Sequence, residues 1–158
     1  MPTHFDGSAE ERRALDLFIK LARAAEAFGA RTLGPIVDAG LTPVQFGVLE
    51  ALYHLGALMP SQLAEKHLTS RNNLTSVVDR LEADGLVRRE RCPSDRRAQW
   101  IHLTEEGRAR VERVMPEFAQ AVAREASGLS PQEQEQLNGL LRKLGRGPLL
   151  EVAREDLA

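Results

Sequence analysis

Apolar positions recur at helical spacing over most of the chain, and strongly β-branched stretches are short. The first run predicts a helix from about Ala9 to Thr32. Leu15, Phe18, Ala22 and Ala25 fall on one stripe, with Leu17, Leu21 and Phe28 beside it, and Gly34-Pro35 ends or interrupts it. Thr42-Pro43-Val44-Gln45 opens a second helix with a Thr cap, Pro at the first helical position and Gln three residues on. Phe46, Leu49, Leu52 and Tyr53 give its apolar face, and Gly56 stops it. Pro60 opens a short third helix through Leu63, Ala64 and His67, with Met59 a poor cap. Thr69 or Ser70 caps a fourth, which turns Leu74, Val77, Val78 and Leu81 inward and ends at Gly85.

The period then changes. Leu86, Val87 and the following arginines read as a strand, and Cys92-Pro93-Ser94-Asp95 reads as a turn. Ala98 to Leu103 reads as the return strand, with Gln99, Ile101 and Leu103 on one face and Ala98, Trp100 and His102 on the other. Such a hairpin is a wing. Thr104-Glu105-Glu106-Gly107 starts a long helix carrying Val111, Val114, Phe118, Ala121 and Val122, which Pro116 should kink or split. Ser130-Pro131-Gln132-Glu133 is a second capping box, followed by a stripe of Leu137, Leu140, Leu141 and Leu144 and a break at Gly145 to Pro148.

This order predicts a mainly α fold with a small β-wing. A winged helix-turn-helix domain occupies residues 41–104, with the helix-turn-helix at about 60–83 and the wing at about 86–103. A helical dimerisation domain is formed by the N-terminal helix of residues 1–40 and the C-terminal helices of residues 105–158. The outer helices are too apolar to be covered by so small a middle unit, which points to a homodimer. A monomeric bundle burying the same stripes is the alternative.

Composition narrows the class. With 158 residues, 28% charged and 42% hydrophobic, the chain has ordinary globular values. No apolar run approaches the ~18 residues of a membrane span. Met1 to Glu10 lacks a basic stretch followed by an apolar segment, so no signal peptide and a cytoplasmic, membrane-free protein are expected. The net charge of −2 hides an asymmetry: Lys66 to Arg97 holds eight basic and five acidic residues, and the remainder carries −5. A basic segment on an acidic body suggests a polyanion partner, though a solvated charged hairpin accounts for the charge equally well.

The candidate chemistry is nucleic-acid recognition. The fourth helix begins Ser70-Arg71-Asn72-Asn73-Leu74-Thr75-Ser76. Arg71 suits a guanine edge and Asn72 or Asn73 an adenine, while Thr75 and Ser76 suit phosphate or a thymine methyl. Arg88, Arg89 and Arg91 precede the wing turn and Asp95-Arg96-Arg97 follows its Pro; a hairpin tip with two adjacent arginines fits a narrow minor groove. Asp95 orients an arginine or closes the turn.

Three linked stretches carry a family resemblance. Leu81-Glu82-Ala83-Asp84-Gly85-Leu86-Val87-Arg88-Arg89, Asp95-Arg96-Arg97 and Ile101-His102-Leu103-Thr104-Glu105-Glu106-Gly107 resemble the MarR family of bacterial transcription regulators. The motif match covers Leu63 to Gly107. The resemblance implies a homodimer, usually a repressor, on a pseudo-palindromic site in double-stranded DNA. It places Ser70, Arg71, Asn72, Asn73, Thr75 and Ser76 on the recognition helix. Arg97 matches the wing-tip arginine that enters the minor groove, Asp95 matches the acidic residue that supports it, and Ser61 and Gln62 lie near phosphates. It further implies a small, often phenolic or anionic effector between the winged unit and the dimerising helices. Arg23, Arg31, His54 and Trp100 are candidates to line that cleft, against the plainer readings of surface arginines, a helix-end histidine and a tryptophan at the wing root.

Other chemistries find no support. His4, His54, His67 and His102 are scattered, which argues against a metal. No cofactor loop or nucleophile elbow occurs, so no enzyme is expected. Asn73-Leu74-Thr75 fits a glycosylation pattern but lies on a helix. Cys92 lies among arginines that would lower its pKa, against the plainer reading of an incidental turn residue. A non-specific architectural DNA binder remains the alternative function, and a small enzyme or interaction bundle would leave the arginine wing unexplained.

Overall fold

The structure is a computed structural model, and it describes residues 5–66, 71–91 and 99–146. Seven helices and two strands lie among them: α1 (Ala9–Thr32), α2 (Gly34–Asp38), α3 (Pro43–Leu55), α4 (Pro60–Lys66), α5 (Arg71–Ala83), β1 (Val87–Arg91), β2 (Gln99–Leu103), α6 (Glu105–Ala126) and α7 (Pro131–Arg146). The expected mainly α architecture with a β-wing is therefore present.

The capping boxes expected at Thr42 and Ser130 both form. Thr42 Oγ1 accepts from Gln45 N at 3.2 Å and Gln45 Oε1 accepts from Thr42 N at 2.8 Å. Glu133 Oε2 accepts from Ser130 N at 2.8 Å and Ser130 Oγ accepts from Glu133 N at 3.4 Å. A third box, Ser8 with Glu11, starts α1.

Several details differ from expectation. Gly34-Pro35 ends α1 as expected, but it also opens the short helix α2, with Pro35 in the first turn, where a missing N–H costs no helical bond. Pro116 lies inside α6 without splitting it. Helix α7 is described as far as Arg146, inside the expected break at Gly145 to Pro148, the rest of which lies outside the described residues. At α4, Met59 cannot cap through its side chain, but Gln62 Oε1 accepts from Met59 N at 2.8 Å and supplies half of a capping box. The expected extension of α4 to His67, the capping role of Thr69 or Ser70, and the turn at 92–95 lie outside the described residues.

The two strands pair antiparallel, from Val87 opposite Leu103 to Arg91 opposite Gln99. The segment after α3 adds to the root of this hairpin. Leu58 N donates to Ile101 O at 3.2 Å and Ile101 N donates to Leu58 O at 2.9 Å. The core lies beneath: Leu49, Leu52, Leu63, Leu74, Val78, Leu81, Leu86, Ile101 and Val111 are each at most 1–2% exposed. Each such side chain contributes ~1.5–3 kcal/mol by leaving water. Phe46 of α3 and Phe118 of α6 close one side edge-to-face, with ring centroids 5.6 Å apart.

The chain divides into two compact units, Met1–Ala121 and Val122–Ala158. In the first, α1 buries only Thr32, and Leu17 and Phe18 are more than half exposed. In the second, Leu137, Leu140, Leu141 and Leu144 of α7 are all exposed among the described residues, so the expected stripe exists and faces outward from its unit.

Candidate nucleic-acid interface

Helix α5 divides its residues sharply. Leu74, Val78 and Leu81 are buried, whereas Asn73, Thr75 and Ser76 are exposed. The apolar positions dock the helix on the core and the polar ones face outward, as a helix entering a DNA groove requires. Arg71 and Asn72 open the helix, and Ser70 lies outside the described residues. Ser61 and Gln62 are exposed on the first turn of α4.

The end of α5 is set by Gly85, whose φ of +71° favours glycine. Gly85 N donates to Glu82 O at 2.9 Å and Leu86 N to Leu81 O at 2.9 Å, a Schellman closure with Leu81 and Leu86 both buried. Leu86 then enters the wing. Where the wing returns, Thr104 ties three elements together. Its Oγ1 donates toward Gly85 O and Leu86 O, at 2.8 and 3.0 Å, and accepts from Gly107 N at 3.0 Å. Gly107 packs so closely that a Cβ there would lie 2.1 Å from Leu86 O. The Gly-Leu and Leu-Thr-x-x-Gly parts of the motif are thus two sides of one junction.

Arginines of the wing are not equivalent. Arg89, whose side chain is 23% exposed, pairs with Glu82 and, at 2.5 Å, with Asp79 of α5. Its backbone N–H also donates to Glu82 Oε1 at 2.9 Å. Burial pulls its pKa down, but the hydrogen bonds and charges of Asp79 and Glu82 outweigh that and raise it, so Arg89 is a permanent cation. Arg88 donates to Glu90 Oε2 at 2.6 Å, a contact that lowers the Glu90 pKa. His102 Nε2 lies 3.5 Å from the same oxygen. Counting arginines overstates the charge this wing offers: Arg88 and Arg89 are spent on internal pairs, and Arg91 is exposed with no ion pair among the described residues. Sequence reasoning missed the tie through Asp79 and Glu82. Their spacing of three on α5, across a tight Gly turn from Arg89, was the available signal.

An open groove of about 370 Å³ runs between α5 and the wing, lined by Pro60, Thr75, Val78, Arg89 and Gln99. The wing tip itself, with Cys92, Asp95, Arg96 and Arg97, lies outside the described residues.

The four effector candidates stand on three elements. Arg23 and Arg31 are exposed on α1, and Trp100 is half-buried on β2 opposite Glu90. His54 is exposed at the end of α3, edge-on to Tyr53 at 5.0 Å and 3.6 Å from Glu50. None of them lines the helix–wing groove. Nearby, Tyr53 donates to Glu112 Oε1 at 3.2 Å and lies under the Arg108 guanidinium at 5.2 Å. Among the described residues no group of His, Cys, Asp and Glu is arranged to hold a metal, and no helix is long and apolar enough to cross a membrane.

Comparison with known proteins agrees with this geometry. Residues 41–98 match the MarR family. The chain is 38% identical over 136 residues to the transcriptional regulator YkoM of Bacillus subtilis (strain 168), covering 86% of this chain and 88% of that one. Sco3205, a MarR family transcriptional regulator from Streptomyces coelicolor solved in complex with DNA, is 34% identical with a TM-score of 0.76, over 89% of this chain and 92% of that one. BpsR of Bordetella bronchiseptica, whose DNA binding is regulated by 6-hydroxynicotinic acid, is 32% identical with a TM-score of 0.75, over 82% and 98%. With its motif residues stitching α5, wing and α6 into one unit, the chain belongs to the MarR family of winged-helix, DNA-binding transcriptional regulators.

Proposed function

We propose that the chain acts as a homodimeric repressor of a pseudo-palindromic operator and leaves it when a small phenolic or anionic ligand binds. The observation that carries the DNA-reading part is the division of α5 between buried Leu74, Val78 and Leu81 and exposed Asn73, Thr75 and Ser76. In this reading Ser70, Arg71, Asn72, Asn73, Thr75 and Ser76 meet base edges and phosphates in the major groove. Ser61 and Gln62 meet phosphates, and Arg91, Asp95, Arg96 and Arg97 form the minor-groove arm. The exposed Leu137, Leu140, Leu141 and Leu144 support a second copy as partner, because two recognition helices reading half-sites need a fixed separation of ~34 Å.

The ligand class rests on similarity to BpsR, whose effector is an aromatic acid. Arg23 and Arg31 are the candidates for its carboxylate, Trp100 for its ring and His54 for a polar contact. A ligand that binds best to a different spacing of the two winged units lowers the DNA-competent population.

The test is a random-duplex selection with the full chain, then anisotropy titration of the selected and a scrambled duplex at two salt concentrations. Repression at a specific site requires a preference of ~10³ or more. Equal affinity for both duplexes would replace this reading with a non-specific architectural one. Titrating 6-hydroxynicotinic acid and related phenolic acids into the complex then tests release.

A further inference from the structure

The helix-facing side of the wing changes character along its length. Side chains directly opposite in an antiparallel pair share a face, and alternate residues along each strand share it too. Val87, Arg89 and Arg91 therefore lie on one face with Leu103, Ile101 and Gln99. From root to tip this face runs from buried Val87 and Ile101, through the ion-paired Arg89, to exposed Arg91 and Gln99.

Helix α5 presents a matching stripe. Thr75, Asp79 and Glu82 are spaced by four and three, so they share one face. Asp79 and Glu82 meet Arg89. One helical turn towards the N-terminus advances ~6 Å to Thr75. Two residues along β1 advance ~7 Å, from Arg89 to Arg91. The two elements thus keep step, and Thr75 and Gln99 line the same groove, together with Pro60, Val78 and Arg89 among the described residues.

Major and minor grooves of a duplex are separated by one sugar–phosphate strand. A protein with a helix in one groove and a wing in the next must pass that strand between the two. We infer that the groove between α5 and the wing seats a backbone phosphodiester of the bound DNA, with the Gln99 amide donating to a phosphate oxygen and Arg91 supplying the charge beside it. The Arg89 tie to Asp79 and Glu82 holds the groove at its width. This inference rests on the proposed docking of helix and wing, and it adds Gln99 as an uncharged contact that arginine counting passes over.

The experiment uses the full chain and the selected duplex, with Q99A, Q99E and single neutral methylphosphonate replacements at each phosphate in turn. Gln99 is exposed, and circular dichroism melting checks that each variant folds. Q99A should bind about tenfold more weakly, with the slope of log affinity against log salt unchanged, because an amide releases no counterion. Q99E should bind more weakly still. In the wild type, neutralising one phosphate per half-site should weaken binding, and in Q99A that replacement should cost much less. Wild-type affinity for both variants, or the same methylphosphonate profile in Q99A as in the wild type, overturns the seat while leaving the regulator reading intact. A wild-type chain that binds no duplex overturns both.

Discussion

Helices α5 and α7 have the same sequence pattern and opposite fates. Each repeats leucine or valine at helical spacing, and each is roughly as long as an average protein helix. In α5 the stripe is closed off from water, with Leu74, Val78 and Leu81 at 0–1% exposure. In α7 Leu137, Leu140, Leu141 and Leu144 stay 41–66% exposed. Periodicity states that a face must be covered, but not by what. For α5 the cover is α4, the strand root and α3 of the same unit; for α7 none is seen among the described residues of its own unit.

The same substitution on both helices sharpens the contrast most. Leu81→Ala should destabilise the first unit by about 2–5 kcal/mol, read by urea unfolding, because it opens a cavity in a closed core. In the isolated monomer Leu140→Ala should leave that unfolding transition where it is. A large loss from Leu140→Ala in the isolated monomer would mean that its own chain covers the stripe.

A charged pair of substitutions tests the missing cover. Leu137→Arg with Leu140→Arg should yield a folded monomer by sedimentation and cut affinity for a two-half-site duplex by ~10² or more, the loss expected when paired binding becomes single. A dimer that survives would move the interface off α7.

Within the wing the comparison is between two arginines. Arg91→Ala should shallow the salt dependence by about one counterion, whereas Arg89→Ala should weaken binding with the salt slope unchanged. A reduced slope for Arg89→Ala would make it a phosphate contact rather than a tie.

The smallest effects belong to the helix starts. Ser130→Ala should cost about 1 kcal/mol of α7 stability, seen as a lower melting midpoint. Hydrogen bonds from Ser130 hold the Glu133 pKa below its usual 4.5, and those from Ser8 do the same for Glu11. Because the folded values are depressed, this stabilisation is complete above the unfolded value and is lost as pH falls through the lowered one. Melting midpoints followed below pH 5 should therefore fall less steeply in Glu133→Gln than in wild type.

Much of this was legible in the chain itself. The boundaries of α1, the caps at Thr42 and Ser130, the stop at Gly85 and the alternation of β2 all follow from local chemistry, which acts between neighbours in sequence. What escaped acts across space or in a single turn. The short helix α2 is hidden by a Gly-Pro pair that usually signals a loop. Gln62 capping Met59 needs the geometry of the turn to be seen. The internal pairs of Arg88 and Arg89 escaped because composition counts charges without pairing them, and Gln99 read as a strand residue because an amide carries no charge to count.

The junction of Thr104, Gly107 and Leu86 has a mechanical meaning. A hinge needs slack, and here there is not room for a methyl group. Torque applied to the start of α6 cannot be absorbed at the point where it meets the wing. It is passed on to Leu86, which is hydrogen-bonded both to Thr104 and to Leu81 at the end of α5.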